Sequence, residues 1–285
     1  MIKRILLFIL IFLVSISLIF IFVIGGGFGN KKQDLKFPSC NDSLMLFAHR
    51  GITKYYPENS LQGFNAAREL GFCAVEIDLR QTKDNEFVLI HDFNCKRLLD
   101  TNALVSGITL KQLKKYPILF NSKKTSNHVL TLNEFLNEFK NDYIIYLDVK
   151  LDKEKTKFDK ADKIVEIIHA KDIVNNVIVA NADFIFIAYI EYIYPEIMTA
   201  LEGFKHDKEW IYNVIPTNFK PDFLSSSYKD FSHEEIPFLK KNDLLSRRII
   251  YHVNSENLQE YLDMGATKII FDYDSTSDGF LQSVH

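Results

Sequence analysis

Apolar residues fall into three kinds of run along this chain, and each predicts a different element. The first is a block without charge over residues 5–24, interrupted only by Ser15 and Ser17. As a helix it would reach roughly 30 Å, enough to cross the hydrocarbon core of a bilayer. The second kind is short and strand-like, at 45–48, 74–79, 87–90, 143–149, 177–180, 249–253 and 268–271. The third has helical spacing: 60–70 opens on a capping serine and stops before Gly71, 131–139 opens on a capping threonine, and 256–264 stops before Gly265.

Strands alternating with helices predict a parallel sheet covered by helices. The stretch from residue 39 onward is about 245 residues, close to the length of one TIM-type (β/α)8 barrel. The fold expected is therefore α/β, a (β/α)8 barrel preceded by an N-terminal transmembrane helix. Between 191 and 241 the pattern is ambiguous, because 198–201 and 223–228 both read as strands where eight staves require only one more. No repeat of 20–50 residues is visible, so a solenoid or propeller is not supported.

The N-terminal block begins after Lys3-Arg4, as a signal peptide would, but it exceeds the apolar length of about 7–15 residues typical of a cleaved signal. Gly25-Gly26-Gly27 is also a poor cleavage site. The block reads as an uncleaved anchor, residues 1–24, followed by a linker, 25–38, and the barrel domain, 39–285. A buried core helix is a weak alternative, because the run has no polar face. Lys3 and Arg4 precede the span while Lys31, Lys32 and Lys36 follow it, so charge does not fix the side. The very short leading tail resembles that of signal anchors, which would place the domain outside the cytoplasm.

Composition narrows the picture only slightly. Lys and Arg number 34 against 37 Asp and Glu, which excludes binding to nucleic acid by bulk charge. The three cysteines, Cys40, Cys73 and Cys95, lack zinc-site spacing and can form at most one disulfide. Nothing in the sequence reads out an oligomeric state.

Candidate chemistry comes from strand parity. In Ala74-Val75-Glu76-Ile77-Asp78-Leu79, residues two apart point the same way, so Val75, Ile77 and Leu79 face the helices and both carboxylates face inward. Inward carboxylates repel and cost several kcal/mol to desolvate without compensating charge, which a divalent cation would supply. Tyr146-Leu147-Asp148-Val149-Lys150 repeats the device, sending Asp148 and Lys150 inward. Oxygen ligands without cysteine suit Mg2+ or Ca2+. Taken singly, each motif fits an inward ion pair or an exposed strand equally well. His49 and His91 end two further strands beside the acidic cluster, a pairing that can supply a general acid and a general base. Arg50 adds a guanidinium suited to phosphate.

These residues resemble the glycerophosphodiester phosphodiesterases, whose PLC-like barrels carry His-Arg-Gly, Pro-Glu-Asn-Thr, Glu-x-Asp, His-Asp and Glu-x-Lys in order. Here the series runs His49-Arg50-Gly51, Pro57-Glu58-Asn59-Ser60, Glu76-Ile77-Asp78, His91-Asp92 and Asp148-Val149-Lys150. The resemblance implies that His49 and His91 form the acid–base pair, that Glu76, Asp78 and Asp148 hold one divalent cation, and that Arg50 and Lys150 bind phosphate. Glu58 matches a position that is metal-proximal or orienting, or else it caps the helix near Ser60; Asn59 would organise the loop. The implied reaction is metal-dependent hydrolysis of a glycerophosphodiester to an alcohol and glycerol 3-phosphate, by water or through a neighbouring glycerol hydroxyl.

Departures from the pattern keep two other functions in view. Asp148 stands where many members have glutamate, and the similar sphingomyelinase D group commonly carries Asp-x-Lys. A membrane-associated phospholipase D acting on lysophospholipids or sphingolipids is thus the alternative enzyme. A non-catalytic barrel that binds phospholipid headgroups or an envelope partner is the alternative of another class. The segments Tyr251-His252-Val253-Asn254 and Phe271-Asp272-Tyr273-Asp274 match more loosely.

Overall fold

The computed structural model describes residues 2–31, 37, 40, 44–152 and 156–277. Of the expected linker, 32–36 and 38 lie outside the described residues, as do 39, 41–43, 153–155 and 278–285 of the expected barrel domain.

Nine strands form the main sheet: β1 (Met45–His49), β2 (Ala74–Gln81), β3 (Phe87–Leu89), β4 (Ile144–Val149), β5 (Val177–Asn181), β6 (Met198–Glu202), β7 (Phe223–Ser227), β8 (Arg248–Val253) and β9 (Lys268–Phe271). Eight of them, all but β3, pair in parallel around a ring that closes where β1 meets both β2 and β9. The chain is an eight-stranded parallel barrel.

Two details correct the strand reading. Both ambiguous segments, 198–201 and 223–228, contribute staves, as β6 and β7. The segment 87–90 contributes none, because β3 folds back antiparallel on β2, pairing Leu79 with Leu89 and Arg80 with Val88. Loop length decides this. Only residues 82–86 join β2 to β3, closed by Thr82 N–H donating to the Glu86 carbonyl (2.9 Å), whereas a parallel crossover needs a dozen residues or more.

Strand parity sorts the side chains as expected. Val75, Ile77, Leu79, Ile145, Leu147 and Val149 join the outer core beneath the helices. Met45, Phe47, Ala74, Ile144, Tyr146 and Ile270 fill the barrel interior, with Phe37 packed among them. Residues between β3 and helix Leu132–Phe139 form an excursion with its own small core around Ile90, Cys95, Leu98 and Val105. Helix ends follow the local signals. Ser60 Oγ accepts from Gly63 N–H (3.1 Å), Thr131 forms a capping box with Glu134, and Gly71 and Gly265 take positive φ after their helices.

Ahead of the barrel, α1 (Ile2–Ile24) carries a 20-residue apolar stretch, Lys3–Phe22, long enough to cross a membrane; a signal sequence has the same character. Its C-terminal end rests on the barrel. Asn218 donates from its side chain to the Ile24 carbonyl (3.0 Å) and from its backbone to that of Gly25 (2.9 Å), and Thr217 N–H donates to Gly27 (2.9 Å). Lys31 then pairs with Glu191 and with Asp222 (2.7 Å).

Cys40 and Cys73 are joined by a disulfide with Cα atoms 5.5 Å apart, while Cys95 is free and buried. Closing a 33-residue separation contributes about 3–4 kcal/mol in the chain-entropy account. The double variant Cys40→Ser/Cys73→Ser is therefore expected to melt roughly 6–12 °C below the parent chain in non-reducing buffer. An unchanged melting temperature would mean that the two cysteines do not pair.

Candidate active site

Register brings the acidic residues together at the C-terminal mouth. Parallel pairing sets His49 beside Glu76, and Asp78 beside Asp148. Parity points all four inward. One oxygen from each of Glu76, Asp78 and Asp148 lies within 4.8 Å of the others, and all three residues are buried. At that spacing two carboxylates repel by about 3–4 kcal/mol in a medium of effective dielectric ~20.

Two cations answer this repulsion. Arg50 Nε lies 2.9 Å from Asp78 Oδ2, and Lys150 Nζ sits 3.1 Å from Asp78 Oδ1 and in contact with Asp148. The compensation is uneven. Burial resists ionisation of Asp78, but Arg50 and Lys150 outweigh it and hold its carboxyl below the usual range. Glu76 is driven well above that range by burial and by Asp78, and Asp148 is raised by burial despite Lys150. Asp78 Oδ1 is buried and is met by the Lys150 ammonium without a well-directed hydrogen bond. Three buried oxygen donors from three carboxylates, met by only two cations, together fit a hard divalent cation.

The turn after β1 places Arg50. Arg50 and Gly51 take φ of 56° and 81°, and the Arg50 backbone N–H donates to the Glu76 carboxylate at 3.1 Å. A Cβ on Gly51 would lie 2.7 Å from the Gly63 backbone, so only glycine allows the turn to meet helix Leu61–Glu69 so closely. Asn59, also at positive φ, donates to Asp78 Oδ2 (3.0 Å) and thereby orients that carboxylate.

Each histidine is held through Nδ1 by an aspartate, and both rings line the cleft. His49 Nδ1 bonds Asp272 just past β9, and its Nε2 lies 3.7 Å from Glu76. His91 Nδ1 bonds Asp92 at 2.8 Å. Its backbone is fixed twice: Ile90 N–H donates to the Asp78 carbonyl (3.1 Å), and Arg80 Nε donates to the His91 carbonyl (2.7 Å). Glu58 lies outside the carboxylate trio. It meets Arg97 through two 2.7 Å hydrogen bonds and stands 3.5 Å from Arg50, while Arg97 Nε reaches Asp92 at 2.6 Å. The helix cap considered for Glu58 is made by Ser60 instead.

His49, Arg50, Glu76, His91, Asp148 and Lys150 line one cleft of about 200 Å3. Tyr146, Glu202, Tyr251 and His252 line it too; none of them carries a role expected from the sequence, although Tyr251 and His252 lie in a segment that matches the family pattern loosely. Glu202 ends β6 and accepts from the Tyr146 hydroxyl (3.0 Å); burial and the nearby Asp148 push its carboxyl up to about 8. His252 packs its ring on His49 with centroids 5.8 Å apart, and burial together with His49 lowers its pKa. Asp272 and Glu202 share the signal that marked His49, a polar residue at the end of a barrel strand.

The sequence model of the Glycerophosphoryl diester phosphodiesterase family matches residues 49–273. A glycerophosphodiester phosphodiesterase of Caldanaerobacter subterraneus subsp. tengcongensis is 33% identical over 109 residues, 37% of this chain and 45% of that enzyme. The chain thus spans about half the length of this curated relative. An uncharacterized Bacillus subtilis protein, YqiK, is 22% identical over 246 residues, 84% of this chain and 98% of its own length. A phosphodiesterase from Oleispira antarctica, solved in complex with the product sn-glycerol-3-phosphate, matches with a TM-score of 0.73 at 19% identity, covering 84% of this chain and 95% of that one. At that identity the solved structure establishes a shared fold, and the match across residues 49–273 establishes the family. The chain belongs to the glycerophosphoryl diester phosphodiesterase family.

Proposed function

We propose that this protein hydrolyses glycerophosphodiesters to an alcohol and glycerol 3-phosphate, with His49 and His91 as the acid–base pair and Glu76, Asp78 and Asp148 as ligands of one Mg2+ or Ca2+. The observation that carries the reading is the convergence of two carboxylate-oriented histidines and two cations on one buried carboxylate trio. A bound divalent cation supplies the positive charge that offsets what develops on the phosphoryl oxygens. Arg50 and Lys150 hold those oxygens and orient phosphorus between the imidazoles. With Nδ1–H given to its aspartate, one imidazole takes a proton at Nε2 from the attacking hydroxyl, and the other, protonated at Nε2, gives one to the departing alcohol oxygen. Water is added across the P–O bond and no other reactant is consumed. Asn59, acting through Asp78, and Arg97, acting through Asp92, are positioning residues.

The same reading treats α1 as a retained membrane anchor, residues 25–38 as a linker and 39–285 as the barrel domain, with that domain outside the cytoplasm. The disulfide Cys40–Cys73 supports this side, because such bonds persist in oxidising compartments.

The test uses the full chain in detergent with glycerophosphocholine, glycerophosphoethanolamine and lysophosphatidylcholine, each with Mg2+, Ca2+ or EDTA. Metal-dependent release of glycerol 3-phosphate from the water-soluble diesters is expected, abolished by EDTA and restored by added metal. Preference for the lysolipid would favour the phospholipase D alternative, and metal binding without turnover of any of them would favour the binding barrel. His49→Ala and His91→Ala should each lose at least ~100-fold in kcat. Near-normal turnover in either folded variant would overturn the two-histidine mechanism.

Asp272→Asn keeps the shape of the His49 partner but removes its charge. It should lower kcat by roughly tenfold or more, about 1.4 kcal/mol of transition-state stabilisation, while KM changes little. An equal rise in KM with kcat intact would place Asp272 in substrate binding instead.

A further inference from the structure

Helix Phe184–Ile193 is unusual for the outer layer of a barrel, because it is apolar on both faces. Phe186, Ile187 and Ile190 pack onto the barrel, but Ile185, Tyr192 and Ile193 are exposed on the other side. An outer helix ordinarily shows water a polar face. The neighbouring helix Glu209–Val214 adds Trp210 and Val214, four residues apart and so on one face, 65% and 57% exposed. Single exposed apolar residues are ordinary, but a contiguous apolar patch marks a contact surface.

Position identifies what covers this patch. Ile21 of α1 lines the same apolar groove as Phe158, Ile185, Tyr192 and Val214. Ile21 lies one residue before the end of the apolar stretch Lys3–Phe22 and three before the end of α1, so material beside it sits within roughly 5 Å of the end of the span. That is the depth to which interfacial apolar faces enter the boundary between headgroups and acyl chains, where tryptophan and tyrosine collect. The hydrogen bonds from Thr217 and Asn218 to the carbonyls at the end of α1 hold the groove at that level.

We propose that this flank is a membrane seat: the exposed face of helices Phe184–Ile193 and Glu209–Val214 partitions into the lipid interface beside α1. The barrel then rests on its side. Because Phe184 begins the helix that follows β5, the mouth-proximal end of the seat reaches the lipid, and the cleft opens along the bilayer surface. The proposal rests on the reading of α1 as a retained anchor, and its test separates the two.

Trp210 is the only tryptophan in the chain, so its fluorescence reports the seat without labelling. The full chain is reconstituted in phosphatidylcholine–phosphatidylglycerol vesicles, with and without lipids brominated near the headgroup end of the acyl chain. Loss of most of the Trp210 emission to the brominated lipid is expected, and the same loss when the probe is moved into the groove by W210F/Y192W. Ile185→Glu/Val214→Glu changes only exposed side chains and should restore the emission while the chain still floats with the vesicles. Retention through an alkaline wash with emission untouched by brominated lipid in both probe positions overturns the seat and leaves the anchor standing. Release of the chain by that wash overturns the anchor and the seat with it. Blue-shifted emission that brominated lipid does not reach assigns the face to a second copy of this chain and equally overturns the proposal.

Discussion

Mutual repulsion among Glu76, Asp78 and Asp148 is the constraint around which this molecule is arranged. No soluble core gains from three buried carboxylates, and the fold commits two cations to them at distances near 3 Å. The commitment is incomplete. Asp78 ionises readily because Arg50 and Lys150 both reach it, whereas Glu76 is left with burial and a neighbouring negative charge and is driven toward protonation. A site that neutralised itself would have no need of another ion; this one holds a charge deficit in a rigid frame, which is how a buried polar cluster is kept ready for a ligand.

The frame is rigid because barrel parity and register determine it. Alternate residues of β2 and β4 must face the helices, and Val75, Ile77, Leu79, Leu147 and Val149 do so. That requirement alone sends Glu76, Asp78 and Asp148 to the axis, and parallel pairing brings Asp78 level with Asp148. Moving a polar residue by one position on either strand would exchange it for a core aliphatic and lose both the site and the packing. Site and fold are thus specified by the same alternation.

Such alternation is visible in a sequence, and this explains what was legible. The trio, its two cations and both histidines lie on strands or at strand ends marked by apolar alternation or an apolar run, and the barrel follows from the order of elements. Segment 87–90 has the apolar content of a stave, but the five-residue connector from β2 permits only a hairpin. The staves at 198–201 and 223–228 could not be separated because both had equal claims, and both entered the barrel. Asp272, Glu202 and His252 are harder to read, because segments 251–254 and 271–274 match the family pattern only loosely and Glu202, at the end of β6, has no partner in sequence to mark it. Their importance lies in contacts to His49 and Tyr146, over separations from 56 to 223 residues, which only closure of the ring creates. The Cys40–Cys73 pairing was hidden for a similar reason: three cysteines admit three pairings, and spatial proximity selects one.

That closure also explains how the two histidines come to be held so differently. His91 is fixed by neighbours on β2, the strand its own hairpin folds back on, and by the excursion that follows β3, through Asp92, Arg97 and Glu58, a chain of ion pairs that ties the excursion to the turn after β1. His49 depends on Asp272, which lies beyond the last stave and meets β1 only when β9 pairs with it. One of the two cleft histidines is therefore held locally, whereas the other waits for the ends of the barrel to join. Loosening the β1–β9 seam should affect His49 before it affects the carboxylate trio, since Glu76, Asp78 and Asp148 stand on the adjacent strands β2 and β4, on the far side of β1 from that seam.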